Sequence, residues 1–526
     1  MSDIKILENS RTDFEKTEIK ENSFTSPIQE EDSDSPFDSS HLARDINARV
    51  LTLLTLGSAI GTGHIIGTGT SLVRGGPASL FIAYCFVGAL LTVVIFSLGE
   101  MAAFLPMDKG FSGYVNKYFD RSFGFAAGYN YFLKYAIVLG ANMTGFGLVI
   151  QFWRPDLNVG IWAAVLYVFC IACNFLPVRY YGELEFVLTI AKLLTLLGIY
   201  IVCLVITCGG GPSGKTIGFQ YWREEAFLPY LVPGNTGKFL GWWAAVISSL
   251  FGFIGVETAG IFFGEAANPK KTIPRASRQV LIRIGFFYIF GVFMLTLVAN
   301  PKSPLLVKAG GTSANASPFV IAIKESGIKV LPSFINGCLL IFIASSANTD
   351  IYICSRQLYG LAKDGEAPKI FLKLTENRVP WVGCIAGSIL GLLAFMNTKE
   401  GAATAFSYIT STVSVFGVMN WIYILLAYIG YQRAIIAQNV PREAIPFRMW
   451  FQPYLSYVAL GFIVIITFFN GYSAFVNTFK YKNFITCYIG ILANAVLIIG
   501  HKLWYRTKFV NPAEVDLELG ARSEKI

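Results

Sequence analysis

The sequence predicts an all-α polytopic membrane protein with twelve transmembrane helices. Of its 526 residues 54% are hydrophobic and only 14% are charged, and the apolar residues form runs of spanning length. Such a run needs about 20 residues to cross a hydrocarbon core. Two runs, the first and the sixth, are interrupted by glycines, which predicts a five-plus-five inverted repeat with broken helices 1 and 6. The runs cover residues 50–73, 79–104, 123–152, 160–176, 184–208, 240–264, 281–299, 333–361, 379–396, 405–431, 453–472 and 484–504.

Residues 1–46 differ from the rest of the chain because they are polar, rich in Ser, Thr, Asp and Glu, and poor in aromatic residues. A segment of this composition cannot bury enough apolar surface to fold, so we expect a disordered cytoplasmic tail. It also lacks the apolar core of a signal peptide. The predicted units that follow are the first repeat (47–208), an extracellular loop (209–239), the second repeat (240–431), helices 11 and 12 (432–510) and a cytoplasmic C-terminal tail (511–526).

Basic residues gather in the loops that follow the even-numbered spans, as Arg275 and Arg278 do after span six, although Lys302 and Lys308 lie in an opposite loop. The positive-inside rule places the richer loops, and with them both termini, in the cytoplasm. The net charge of +9 is therefore an orientation signal and no argument for a nucleic-acid partner. Most of the nine cysteines lie within or beside spans, so we expect neither disulfides nor a metal or other cofactor.

The first break is a glycine cluster in span one, Gly57 to His64. Glycine weakens a helix, and the backbone groups that unwinding frees at bilayer depth are tolerated only where they line a cavity or bind a ligand. Small residues at this spacing also allow two helices to pack closely, and this segment alone supports both interpretations equally.

The second break, in span six, contains Gly252, Gly255 and Gly260 with the carboxylate Glu257. Matching breaks favour a substrate cavity. Free N–H groups at the break in span one attract an anion, and unwound carbonyls of span six accept hydrogen bonds from an ammonium group. An α-amino acid carries both groups. The expected substrate contacts are Ser58, Ala59, Ile60, Gly61, Thr62 and Gly63 in span one, and Phe253, Ile254, Gly255 and Glu257 in span six. Glu257 either anchors the amine or holds the unwound segment through hydrogen bonds, and the sequence does not separate these two roles.

The chain resembles the fungal amino-acid permeases of the amino acid–polyamine–organocation superfamily. The resemblance covers about residues 45 to 510 and includes SAIGTGHIIGTGTSL in span one, SLGEMAAFLP in span two, GEAANPKKTIPRASRQV after span six and SSANTDIYICSRQLYGLAKDGEAPKIF in span eight. It implies a proton-coupled importer of the plasma membrane with the five-plus-five (LeuT-like) fold. It also implies that the glycines of span one and the Gly-x-Glu of span six hold the amino-acid backbone.

Lys192 lies well inside the apolar run of span five. An isolated ammonium group there costs at least about 2.5–3.5 kcal/mol, so it needs a function or a partner. The resemblance implies that this lysine stands beside the broken first span and gains and loses the coupling proton. A static salt bridge is the alternative. We expect Glu185, near the mouth of the same span, to organise a cytoplasmic gate.

Lys134 in span three occupies a position where most of the family has a neutral residue. Asn142, which lies on the same helix face, replaces a glutamate of the general and basic permeases. A positive pocket favours a negative side chain, and Lys134 paired with Asp350 of span eight resembles the dicarboxylic permease subgroup. The alternative is that these two charges merely neutralise each other. By family position we also expect Asn348 and Thr410 to contact the substrate.

These features predict proton-coupled amino-acid import by alternating access, with glutamate and aspartate ahead of neutral amino acids. The alternatives are a general or basic permease of the same family, or a transporter-like amino-acid sensor. A membrane-embedded enzyme is disfavoured because the chain has only three histidines, far apart in sequence, and no catalytic cluster.

The expected partners are the amino acid, protons and the lipid bilayer. Lys5, Lys16 and Lys20 lie in a tail that resembles the regulatory tails of fungal permeases, which implies attachment of ubiquitin by a ligase. A solvated tail without specific contacts is supported equally by composition.

Overall fold

The computed structural model describes residues 61–107, 110–212, 214–258, 260, 263, 269–307, 317–396, 401–476 and 478–517. Within these ranges the chain is helical; one isolated bridge joins Asp120 to Phe509, and no β-strand is present. The predicted N-terminal tail and the start of span one lie outside the described residues.

The helices follow the predicted order of spans. Spans one to six are Thr62–Ile65 with Gly67–Gly75, Pro77–Phe104, Arg121–Ile150, Val159–Asn174, Val178–Thr207 and Gly234–Phe253. Span seven runs through Pro269–Arg283, a π-helical turn Ile284–Phe290, and Gly291–Val298. Spans eight to twelve are Leu331–Lys363, Trp381–Ile389 continued by a 3₁₀ turn Leu390–Met396, Ala402–Ala437, Tyr454–Phe468 and Tyr481–Tyr505.

Short helices lie between, within or after these spans. They are the α-helices Gly110–Tyr118, Gln220–Glu225, Pro304–Val307 and Pro318–Glu325, and the 3₁₀ helices Val256–Thr258, Lys369–Leu372, Arg442–Ala444, Tyr472–Ala474 and Pro512–Glu514.

Nine helices of the described chain are long and apolar enough to cross a membrane, and spans four and nine are shorter apolar helices. Together with the interrupted first span they account for the twelve predicted runs. Spans three and ten are the most deeply buried of the nine. Spans five and twelve expose large apolar side chains such as Leu194 and Val496, as expected of helices that face lipid. The prediction of an all-α polytopic membrane protein is confirmed.

At the first predicted break the described chain begins with an extended residue, and at the second it leaves the helix. Gly61 is extended, with φ −122° and ψ −166°, and helix resumes at Thr62. Span six ends at Phe253, Ile254 is extended, and Gly255 has φ 99°, a conformation that glycine adopts without steric cost. The chain then continues as the 3₁₀ turn Val256–Thr258, which carries Glu257. The unwound segments therefore lie where the glycines predict them.

The two broken helices also pack directly against each other. A Cβ atom on Gly63 would lie 2.3 Å from the carbonyl oxygen of Phe251 and 2.9 Å from the Cα of Gly252. Because these are backbone atoms, no side-chain rotation can make room. The described part of the glycine cluster thus fits both interpretations: Gly61 is extended, and Gly63 allows close packing.

We expect Gly63→Ala to destabilise the folded protein by about 1–3 kcal/mol, because an extra methyl group in a tight backbone contact forces the helices apart. Thermal inactivation of the purified protein in detergent measures the effect. Gly67→Ala is the matched control, since its Cβ would lie 3.7 Å from the Phe251 ring, an ordinary contact distance. Equal losses in the two variants would contradict the close-packing role of Gly63.

Candidate functional site

A small cavity lies between the two breaks, and we call it the central cavity. Its volume is about 30 Å³, enough for roughly two water molecules, so it must widen before it admits an amino acid. Spans one, three, six and eight contribute its walls. The lining residues are Gly61, Thr62, Gly63, Tyr135, Val138, Asn142, Phe251, Gly252, Ile254, Gly255, Ser346 and Asp350.

A chain of hydrogen bonds joins three helices across this cavity. The Thr62 hydroxyl donates to the Asn142 side-chain oxygen at 2.8 Å, and the Asn142 amide nitrogen donates to an Asp350 carboxylate oxygen at 2.6 Å. Each donor meets an acceptor, which fixes the orientation of the amide. The Asp350 carboxylate is thus bound to span three through Asn142.

Ser346 supplies an unused polar group at the break in span one. Its hydroxyl is buried, has no hydrogen-bond partner among the described residues, and lies 3.4 Å from the position that a Cβ on Gly61 would take. A buried hydroxyl without a partner carries a cost that a ligand can relieve. Ser346 and the unwound backbone at Gly61 therefore offer neighbouring polar groups to a carboxylate.

Lys134 forms a buried ion pair with Glu257, and neither side chain is exposed. The Lys134 ammonium also lies 4.0 Å from the ring centre of Tyr135 and 4.7 Å from that of Tyr131, within the range of cation–π attraction. The second carboxylate oxygen of Glu257 accepts a hydrogen bond from the backbone N–H of Gly255 at 3.2 Å. Glu257 therefore holds both the cation and the unwound segment.

The predicted pairing of Lys134 with Asp350 is wrong for this conformation. The 3₁₀ turn after Gly255 brings Glu257 into contact with Lys134, whereas the hydrogen-bond donor bound to Asp350 is Asn142. The ion pair does not line the central cavity but adjoins its wall, because Lys134 contacts the Tyr135 ring and Glu257 binds Gly255.

Lys192 forms a second buried ion pair. Its ammonium nitrogen lies 3.6 Å from a carboxylate oxygen of Glu185, which also accepts a hydrogen bond from Ser345. Residues seven apart lie on one face of a helix, so span five positions both groups. Glu185 is therefore engaged inside the bundle, and its part in a cytoplasmic gate stays a prediction. Lys192 does not line the central cavity.

Three of the predicted substrate contacts lie away from the central cavity, and three others fall on residues that the structure does not describe. Phe253 stacks on Tyr288, with ring centres 4.9 Å apart. The Asn348 side-chain oxygen accepts a hydrogen bond from Asn174 at 2.8 Å. Thr410 lines a separate cavity of about 150 Å³, which we call the wide cavity. Ser58, Ala59 and Ile60 fall outside the described residues.

Five residues of the central cavity were not predicted, and a signal existed for most of them. Tyr135, Val138 and Asn142 are spaced three and four apart, so they share one face of span three. Ser346 precedes Asp350 by four residues and shares its face of span eight. Phe251 and Gly252 directly precede the predicted break in span six.

Non-helical backbone in two spans at one cavity, within a bundle of apolar helices, is the arrangement typical of membrane transporters.

Comparison with known proteins identifies the family. The amino acid permease family pattern matches residues 50–512, and the chain belongs to this family, whose members are transporters and not enzymes. It is 53% identical to an uncharacterized amino-acid permease of Schizosaccharomyces pombe over 522 residues, 98% of this chain and 99% of that protein. It is 39% identical to the dicarboxylic amino acid permease of Saccharomyces cerevisiae over 528 residues (98% and 87%). It is 38% identical to a proline-specific permease of Emericella nidulans over 485 residues (91% and 88%).

Proposed function

We propose that this permease imports amino acids across the plasma membrane together with protons, with glutamate and aspartate as its leading substrates and both termini in the cytoplasm. Overall identity does not select the substrate, because the dicarboxylic and proline-specific relatives are almost equally similar. The observation that carries the proposal is Lys134, a fully buried cation beside the wall of the central cavity.

The site offers a group for each charge of an acidic amino acid. The unwound backbone at Gly61 and the Ser346 hydroxyl suit the α-carboxylate. Carbonyls freed where span six ends at Phe253 suit the ammonium group. The side-chain carboxylate then reaches Lys134 once the cavity widens, and it replaces Glu257 as the partner of the cation.

Charge balance favours proton coupling. The two buried ion pairs and Asp350 together carry one net negative charge when all five groups are ionised. An acidic amino acid adds another negative charge to this buried region. Net charge is costly at bilayer depth, so binding is favoured when protons enter with the substrate. Lys192 is the proposed coupling group because it is fully buried and its partner is a carboxylate.

Alternating access would rock spans one, two, six and seven against the other helices. Ubiquitin attachment to Lys5, Lys16 or Lys20 would control how long the transporter stays at the plasma membrane. These lysines lie outside the described residues.

Competition of labelled glutamate uptake by a panel of unlabelled amino acids, at acidic and neutral pH, tests this proposal. The protein is expressed for this test in cells that have no other uptake of acidic amino acids. We expect glutamate and aspartate to compete most strongly, and uptake to rise as the outside becomes acidic. Equal competition by lysine would favour a general or basic permease. Saturable binding without uptake would favour a sensor.

A further inference from the structure

The wide cavity lies on the far side of Phe251 from the central cavity, and Phe251 lines both. The rings of Phe251 and Phe406 meet edge to face, with their centres 6.1 Å apart. The C-terminal half of span one, spans six and ten, and the junction of spans eleven and twelve form its walls. In the proposed orientation this is the extracellular side. A substrate from outside therefore passes the wide cavity first.

The described residues that line the wide cavity include two cations and no anion. Arg74 and Lys480 are its only charged lining residues, and neither has a carboxylate within ion-pair distance among the described residues. The Arg74 guanidinium lies 5.3 Å from the ring centre of Tyr230, which holds its planar group in place and leaves its hydrogen-bond donors available. Two unneutralised cations in one concave site attract an anion.

Polar groups without partners lie in the same wall. The Thr70 hydroxyl is buried and unbonded within the described structure, and Thr70 lies one helical turn before Arg74 on the same face. Asn470 is 4% exposed; its amide nitrogen donates to the carbonyl of Cys487, but its side-chain oxygen has no partner among the residues described. Thr70 and Arg74 thus offer donors to a carboxylate, and Asn470 offers an acceptor to an ammonium group.

We infer that the wide cavity is a second binding site, which takes a carboxylate of an acidic amino acid at Arg74 and Lys480 before the substrate passes Phe251. This inference rests on the proposed function. The volume is adequate, since a cavity of about 150 Å³ holds a molecule the size of benzene. The site raises the local concentration of anionic substrates next to the central cavity and adds to selection against basic ones.

The test is the concentration dependence of glutamate uptake by Arg74→Gln, Lys480→Gln and the double variant. Glutamine, the neutral counterpart of glutamate, serves as a competitor. We expect the KM for glutamate to rise about tenfold in the double variant, as the loss of charge-assisted hydrogen bonds predicts. The maximal rate should stay nearly unchanged. The glutamine concentration that halves uptake should rise much less than the KM for glutamate, because glutamine has no side-chain carboxylate. Lys480 is exposed, so Lys480→Gln should fold normally and show part of the effect.

Lys238→Gln is the matched control, because Lys238 is an exposed lysine on the same end of span six that does not line the cavity. An unchanged glutamate KM in the double variant, or an equal rise in Lys238→Gln, would overturn the inference. If substitution of Lys134 reduces glutamate uptake while the Arg74 and Lys480 variants behave as wild type, the second site alone is refuted. A wild-type protein that does not transport glutamate would refute the proposed function and this inference together.

Discussion

Lys134→Met is expected to reduce the uptake of glutamate and aspartate by about 100-fold, whereas neutral amino acids lose far less. Loss of one partner of a buried charge pair in a binding site costs about 2–5 kcal/mol, and an acidic side chain is the substrate group that uses this cation. Methionine keeps most of the length of the lysine stem, which passes close to Gly417 of span ten. Initial rates of uptake at matched amounts of surface protein measure the effect.

The single variant leaves Glu257 buried without its cation, which by itself is strongly destabilising. Lys134→Met combined with Glu257→Gln removes both charges, and the glutamine oxygen can still accept the hydrogen bond from Gly255. We expect this double variant to restore protein amount and neutral amino-acid uptake but not glutamate uptake. Recovery of glutamate uptake in the double variant, or equal loss for acidic and neutral substrates, would show that the pair is only structural.

The unwound segments could be predicted from sequence because glycine has a direct effect on the backbone. Gly255 adopts φ 99°, and Gly61 is extended where the helix of span one begins. The packing of Gly63 against Phe251 and Gly252 could only be offered as an alternative, since a single span does not show what it contacts. The structure shows that neighbouring glycines of one cluster have different functions.

The partner of Lys134 could not be predicted, for a physical reason. A helical periodicity tells which residues share a face, but Glu257 lies on a 3₁₀ turn whose direction depends on the unwound residues before it. Asn348 is a different case. It lies two residues from both Ser346 and Asp350, which is about half a turn, so helix geometry alone places it away from the cavity face.

The depth of a residue along a span is also poorly determined by sequence. Thr410 lies on a helix that borders both the central region and the wide cavity, and it faces the wide one. Family position suggested substrate contact, but it does not fix the depth at which Thr410 lies along span ten.

The second large effect is expected for Lys192→Met, which should abolish accumulation of substrate against its gradient. The ammonium of Lys192 is fully buried 3.6 Å from Glu185, so a change in its protonation alters the net charge of this region. Because methionine cannot bind a proton, the variant should carry the substrate only down its gradient, until the concentrations inside and outside are equal. Proteoliposomes with an imposed pH gradient measure accumulation, and exchange of labelled for unlabelled glutamate without a gradient measures whether the transporter still moves.

Lys192→Met combined with Glu185→Gln separates proton coupling from a static salt bridge. If the ion pair only stabilises the fold, removal of both charges should restore pH-driven accumulation, because Ser345 can still donate a hydrogen bond to the glutamine. If Lys192 carries the proton, the double variant should exchange substrate but still fail to accumulate it. Neither residue of the double variant can bind a proton, so restored accumulation would rule out proton coupling through this pair.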